Sequence, residues 1–547
     1  MAESKQTGVG TVTHTDASSK FDAQVAAASI TDKTETVGEA IRNHPMAVFW
    51  AIAMSLTITM EGYDTNLMGS LLAYPPFVAK FGQYYPAPID ETLISGPWQI
   101  GLGQAANCGE VLGLFFTAYL AERVGHRMAT IGSLVAMGGL IFIPFFAPNI
   151  GVLCAGQLLL GIVWGVFSVI GTMYASEVCP LALRGYLTSF TGVAWTIGSF
   201  VSSGILQGLV NNTTDWGYRI PFAIQWVWVV PLLFVAFFAP DSPWWLVRQG
   251  RFEDVEKSIC RLTKNCTSEM AKQRLAVIVH TNQLEQQQQM LLSSQTGKAA
   301  SYIDCFRGTN LVRTEIACVV FAAQSLVGQV FVGSPTYFFV QAGINPSDAY
   351  KLGFGASGLA VVGTLFSWVL MTYFGRRPLM IAGFAGMSVL LLTIALLTYH
   401  TTVDGVTTTT GALWAQSGLA LAWLVVYMSL FASQSLSVAA EVSATRVRSH
   451  TLSLARTAYM VWAIIDGVIE TALLNPTEGN LKGKAGFVWF GFTLLLLIWS
   501  LFRVPETKGR TYEELDILFE QKVPAWKFAE TQVDILDEGD EHDKDLP

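Results

Sequence analysis

Residues 151–173 read GVLCAGQLLLGIVWGVFSVIGTM, a run with no charged side chain and one amide, Gln157. A helix needs about 20 consecutive, mostly apolar residues to cross the hydrocarbon core of a bilayer, so this stretch predicts a membrane span. Charge returns directly after it, as Glu177 and Arg184 in YASEVCPLALRG at 174–185. The same alternation of long apolar run and short charged turn recurs on both sides. Spans are expected near 46–72, 97–120, 128–147, 151–173, 187–210 and 220–239. After a polar stretch at 241–312 they resume near 313–340, 351–374, 378–399, 411–437, 450–474 and 485–503. The reading is an all-α polytopic membrane protein with twelve transmembrane helices in two six-helix halves.

The remaining organisation follows. Residues 1–45 are expected to form a disordered cytoplasmic arm, 46–240 the first half, 241–312 a cytoplasmic linker, 313–504 the second half and 505–547 an acidic tail. The arm is polar and lacks the apolar core of a signal peptide. The linker has amphipathic helical character and a low-complexity EQQQQM stretch. Small-residue spacings such as Gly109-x-x-x-Gly113 and Gly161-x-x-x-Gly165 would let helices approach closely.

Composition agrees with a membrane chain. The 547 residues are 52% hydrophobic and 14% charged, with mean hydropathy +0.43, against about 25% charged in an ordinary soluble domain. The net charge of −8 comes partly from EELD and DEGDEHDKD beyond Pro505 and points to no nucleic acid. The seven cysteines, Cys108, Cys154 and Cys318 among them, are scattered. Without CxxC or Cys/His spacing they read as small apolar filler and as no metal site. No P-loop, catalytic triad or cofactor motif is present, so neither an enzyme nor an ATP-driven pump is expected.

Orientation follows from the Lys/Arg bias. With the N-terminus inside, sixteen basic residues fall on cytoplasmic connections, among them Arg123, Arg127, Arg184, Arg376, Arg377, Arg446 and Arg448. Five fall outside: Lys80, Arg219, Lys351, Lys482 and Lys484. Both termini are then cytoplasmic. The sequons at Asn211 and Asn212 face outward as candidate glycosylation sites, whereas Asn265 does not.

The basic turns carry ordered motifs. Residues 122–127 read ERVGHR, 372–377 TYFGRR, 174–185 YASEVCPLALRG, 441–448 EVSATRVR, 240–246 PDSPWWL and 505–510 PETKGR. In their order along the chain and on one membrane side they resemble the sugar porter family of the major facilitator superfamily, over about 450 residues. EGYD at 61–64, WGVF at 164–167 and GYRIPFAIQWVW at 217–228 are similar to fungal α-glucoside (maltose-type) permeases. The resemblance implies the major facilitator fold, alternating access and a location in the plasma membrane. Glu122, Arg123, Arg127, Glu177, Arg184, Arg376, Arg377, Glu441 and Arg448 are expected to form gating ion pairs between the halves when the inner side is closed. Thr372 stands where the family has Asp.

Ionisable residues inside spans are functional candidates. Glu61 and Asp64 are three apart, so they share a helix face and are expected to look into one cavity. Two neighbouring carboxylates in low dielectric resist double ionisation, as a proton-coupling site requires. Asp64 is expected to carry the proton, aided by Glu61 and Glu110, with Arg456 tuning the pair. The resemblance supports Asp64, because the GYD aspartate is the family's usual coupling residue. A static buried ion-pair network is the competing reading. Asp466 and Glu470 are placed at the outer interface. Gln157 stands where many sugar porters carry Arg.

Sugars are held by amides, hydroxyls and aromatic faces. By resemblance Gln324 and Tyr337 are candidate sugar contacts, while Ser325 and Val330 replace family amides. Gly192, Ser199 and Leu436 replace bulkier residues and widen the cavity. Gln329, Gln434, Trp195, Tyr459, Trp462 and Gln157 are further candidates. The expected function is a proton-coupled symporter of a disaccharide or oligosaccharide, an α-glucoside, acting as a monomer among membrane lipids. A sugar sensor with weak or no transport is the alternative. An uncoupled facilitator, a β-linked disaccharide or a sugar acid also stay open.

Overall fold

The computed structural model describes residues 37–531 apart from 87–89, 213, 265, 297–301, 334, 342–343, 404–405, 408–409, 445–446, 477, 480, 509 and 511. Residues 1–36 of the arm expected to be disordered, the tail beyond Thr531 and Arg446 thus lie outside the described residues, whereas Val37–Asn43 of the expected arm is helical. A short helix α1 (Val37–Asn43) precedes the first span, which bends between α2 (Pro45–Ser55) and α3 (Ile58–Leu71). After α4 (Pro75–Phe81) and a hairpin of β1 (Gln83–Tyr85) with β2 (Glu91–Leu93) come α5 (Gly96–Val124), α6 (His126–Leu140), α7 (Phe142–Phe145), α8 (Ile150–Val178), α9 (Leu181–Leu209) and α10 (Trp216–Phe238). The linker holds α11 (Pro243–Arg248), α12 (Phe252–Leu262) and α13 (Ser268–Thr296). The second half holds α14 (Thr309–Leu326), α15 (Gln329–Gly333), α16 (Pro335–Gln341), α17 (Pro346–Tyr373), α18 (Arg376–Thr401), a hairpin of β3 (Thr402–Val403) with β4 (Val406–Thr407), α19 (Thr410–Val426), α20 (Ser433–Val442), α21 (Arg448–Leu474) and α22 (Gly486–Arg503). A last helix, α23 (Tyr512–Glu520), follows.

Local chemistry sets the helix ends. Asn149 caps α8 by accepting from the Val152 N–H at 2.9 Å, and Pro180 follows its C-terminus, where an extended residue is favoured. Asn345 caps α17 in the same way ahead of Pro346, the first-turn position at which proline loses nothing.

Ten of the twelve expected spans are helices long and apolar enough to cross a membrane. The other two are α5, whose inner face carries Gln99, Gln104, Asn107 and Glu110, and the stretch expected as one span at 313–340. That stretch is broken into α14, α15 and α16. Gly328 adopts φ +85° at the first break, and a Cβ there would press on Trp489, so only glycine suits the turn.

The helix pairings repeat at a shift of six spans. α3 packs on α9 and α14 on α21, while α5 packs on α8 and α17 on the π-helical turn Tyr427–Ala432. Between the halves α9 meets α17 and α5 meets α21. The expected small-residue contact forms: a Cβ on Gly109 or Gly161 would strike the backbone carbonyl of Leu158 or Ala106 across the α5–α8 seam. Lipid-type surface lies outside, as on α10 with Val227, Val230, Phe234 and Phe237 exposed.

In the linker, α12 buries Val255 and Ile259 against Trp245, Leu246 and Val247 of α11. The filler reading of the cysteines fails for one pair. Cys260 and Cys266 form a disulfide with Cα atoms 5.1 Å apart, because the end of α12 folds back on the following loop.

Candidate functional site

A cavity of about 230 Å³ lies between the halves, walled by α3, α5, α8 and α9 on one side and α15, α16, α17, α19 and α21 on the other. Its polar wall groups include Asp64, Asn66, Gln99, Gln104, Asn107, Gln157, Gln329 and Glu470, with Trp195, Tyr337, Phe338 and Tyr459 as aromatic surfaces. No Lys or Arg is among the described lining residues.

Asp64 is fully buried on α3. Gln225 of α10 donates from Nε2 to its Oδ1, and buried Gln157 lies against the same carboxylate. Two residues on, Asn66 donates to the Ser203 hydroxyl at 2.9 Å and to the Ser199 carbonyl at 3.2 Å. This arrangement fixes the α3 face towards α9, where Gly62 and Gly198 let the two backbones touch.

The other intramembrane charges separate from Asp64. Arg456 of α21 pairs with Glu110 of α5 at 2.9 Å, joining the two halves, and its guanidinium lies 5.6 Å from the Tyr459 ring centre. Glu61 is within electrostatic reach of both Glu110 and Arg456 and is not in the cavity wall. The expectation that Glu61 and Asp64 face one cavity is therefore corrected. Three residues advance a helix by about 300°, enough to turn one carboxylate to the cavity and the other to the α5–α21 seam.

Among the candidate sugar contacts, Gln157, Trp195, Gln329, Tyr337 and Tyr459 line the cavity. Gln324 and Gln434 do not. Gln324 sits before the break in its span, where its backbone carbonyl accepts from Tyr427, and Gln434 is completely buried in α20. Asp466 and Glu470 are not interfacial: both are buried. Ser325 donates to Asp466, and the Trp489 indole donates to Glu470 at 2.7 Å. Gln225, Asn66, Gln99, Gln104 and Asn107 went unread in the sequence. Their signal was amides spaced along apolar spans, with Gln104 and Asn107 three apart and hydrogen-bonded at 2.8 Å.

Hydrogen bonds between the halves gather at the end opposite the basic motifs. Tyr337 donates to Gln99 at 3.1 Å, Tyr350 to the Ser70 carbonyl at 2.6 Å and Asn475 to the Ile94 carbonyl at 3.3 Å. At the basic end the motif charges pair within their own half, so the pairs expected for a closed inner side are not formed in this arrangement among the described residues. Glu177 takes Arg248 at 2.7 Å and the Ser242 hydroxyl, and Arg127 lies 3.8 Å from Asp241. Glu441 takes Arg376 at 3.2 Å and Thr507 at 2.5 Å, and Glu506 accepts the backbone N–H groups of Arg376 and Arg377. Each half is thus tied to the segment that follows it, Pro240-Asp241-Ser242 in one and Pro505-Glu506-Thr507 in the other. These motif pairs stay within their own half, whereas Tyr337, Tyr350 and Asn475 bond across the halves at the other end. Arg123 rests on the Tyr119 ring, and Glu122 contributes its carbonyl to Trp245 and Gln249. The Arg184 Nε is buried without a hydrogen-bond partner among the described residues, and Arg448 opens α21.

Residues 50–519 match the family described as Sugar (and other) transporter. The chain belongs to that family. This sugar-transporter-family chain is 37% identical over 512 residues to the General alpha-glucoside permease of Saccharomyces cerevisiae, covering 93% of this chain and 81% of that one. It is 34% identical over 502 residues to the Maltose permease MAL31 of the same yeast, covering 90% and 79%. It superposes on the xylose transporter XylE of E. coli in a partially occluded inward-open conformation with TM-score 0.65 at 18% identity, over 85% of this chain and 99% of that chain. A D-xylose-proton symporter structure matches at TM-score 0.61, 18% identity, over 84% and 98%. The fold is that of the major facilitator superfamily, and the chain is a polytopic membrane transporter, not an enzyme.

Proposed function

We propose that the chain is a proton-coupled symporter of neutral disaccharides or oligosaccharides, α-glucosides first, in the plasma membrane with its basic end cytoplasmic. The observation that carries this reading is a buried carboxylate, Asp64, set in the wall of a cavity otherwise lined by amides, hydroxyls and aromatic faces. Amides and hydroxyls suit ring hydroxyls, and Trp195 suits an apolar sugar face. The relatives named for maltose and α-glucosides support the substrate class. With carboxylates and no cation in its described wall, and with Arg456 engaged by Glu110, the cavity disfavours a sugar acid. At about 230 Å³ it is below the roughly 300–1,000 Å³ of typical ligand sites, so it must widen to admit a disaccharide.

Asp64 takes the proton on this reading, which removes its charge from the wall as sugar binds. Glu110 and Glu61 share Arg456 across the seam. A proton on either carboxylate weakens that tie and lets the halves rock about the cavity. The motif pairs at the basic end reform between the halves when that end closes.

The test is uptake of labelled disaccharides by cells lacking their own, with external pH followed, for the unaltered chain and Asp64→Asn. Accumulation above equilibrium with external alkalinisation, both lost in the variant, is expected. Equilibration alone would make the chain a facilitator, and sugar binding without uptake would make it a sensor.

A further inference from the structure

Resting on the sugar reading above, the geometry points to Glu470 as a specificity-determining sugar contact on the second half's wall. Glu470 lies one turn from the end of α21 and lines the cavity, yet it is only 5% exposed. Its Oε2 accepts the Trp489 indole N–H, whereas Oε1 has no hydrogen-bond partner among the described residues. No ion pair to Glu470 is formed among those residues. A buried carboxyl oxygen left without a donor is a cost that a ligand hydroxyl removes. A helix tie to Trp489 alone would need only one acceptor, which a glutamine or a carbonyl could supply.

The surroundings complete a polar recess. Tyr337, whose hydroxyl is held by Gln99, is close enough to feel the Glu470 charge. Gly467, one turn back on the same helix, lacks the side chain that would exclude the Gln104 amide. Thr471 stands beside Glu470 in the wall. Amides of Gln99 and Gln104 from the first half therefore converge here with the hydroxyl and carboxyl groups of the second half. The ligand chemistry is that of a polyhydroxylated, uncharged ring: Glu470 accepts from a sugar hydroxyl through Oε1. Sugars whose hydroxyl at that position is missing or inverted lose this bond.

The experiment measures uptake kinetics, with surface expression checked, for the unaltered chain, Glu470→Gln and Trp489→Phe. The probes are maltose, trehalose, sucrose and single-deoxy maltoses. Loss of a hydroxyl bond to this otherwise unpartnered buried carboxyl oxygen predicts a KM for the best disaccharide raised about 10- to 100-fold in Glu470→Gln, with the maximal rate changed less than about threefold. Trp489→Phe, which keeps the carboxyl, stays within about threefold of the unaltered KM. The deoxy sugar that the unaltered chain handles worst is handled by Glu470→Gln as well as its parent sugar. An unchanged KM in Glu470→Gln overturns the inference and leaves the transporter reading standing. An equal KM rise in Trp489→Phe overturns it by showing that Glu470 only ties helices. Absence of both binding and uptake in the unaltered chain overturns the sugar reading and this inference together.

Discussion

Arg456 Nη2 on α21 lies 2.9 Å from Glu110 Oε1 on α5, an ion pair spanning the two halves of the molecule beside the central cavity. Glu110 is almost wholly buried there, at 6% side-chain exposure, while Arg456 keeps about a third of its surface at 34%. Removing one partner of a buried pair costs about 3–5 kcal/mol because the other charge is stranded, and the exposure of Arg456 places this site at the low end. Arg456→Gln is expected to lower the thermal stability of the detergent-solubilised protein clearly. Glu110→Gln with Arg456→Gln should recover most of that loss without recovering concentrative uptake. Equal stability of the single and double variants would remove the pair from the account.

Backbone contact between α3 and α9 rests on glycine. A methyl on Gly62 would collide with the Trp195 backbone carbonyl, whereas one on Gly132 of α6 meets nothing within 4 Å. Overpacking costs about 1–3 kcal/mol, while Gly→Ala in an open helix position gains about 0.5–1 kcal/mol. Gly62→Ala should reduce the folded yield seen by size-exclusion chromatography, and Gly132→Ala should maintain or raise it.

The loop between α9 and α10 holds two sequons that differ in structure. Asn211 is exposed, whereas the Asn212 side chain accepts from the Thr214 N–H at 3.0 Å and hydroxyl at 2.7 Å. An oligosaccharyl transferase should therefore find Asn211 the more available. Expression in a eukaryotic host is expected to give one glycan, lost in Asn211→Gln and retained in Asn212→Gln. No glycan in either background would count against the proposed orientation.

Asp241, between α10 and α11, sits 3.8 Å from Arg127. Burial pushes its carboxyl above the usual 3.8, with Arg127 opposing. A value raised in the fold means that the folded chain holds the proton more tightly than the unfolded one. Stability from this group is then gained on acidification through the folded value and lost as pH rises through it. The unfolding midpoint of the unaltered protein should rise relative to Asp241→Asn as pH is lowered from neutral towards the usual carboxylate range. A constant difference would assign Asp241 no titration in that window.

Spans such as 151–173 were legible because a bilayer demands about 20 apolar residues in a row, a purely local condition. The broken span at 313–340 was less so, since Gly328 signals a turn only once Trp489 is seen against it. Of the residues read as candidates, Asp64, Gln157, Trp195, Gln329, Tyr337 and Tyr459 stand in the cavity wall, and Gln324 and Gln434 do not. The latter two differ from the former by a helix break and by a rotation about the axis, neither of which residue type encodes. Gln225 was missed because its partner Asp64 lies 161 residues away in the chain.

Sequence by itself determined that this is a polytopic sugar-transporter-family chain with costly buried carboxylates, because apolar run length and ordered motifs are properties of neighbouring residues. Only the tertiary structure decided which charge meets which. It gave Arg456 to Glu110, left Asp64 with two amides, turned the basic-end pairs inward within each half and buried Asp466 and Glu470. Those pairings depend on helix rotation and on which end of the molecule is closed, and both are set by contacts between residues hundreds of positions apart.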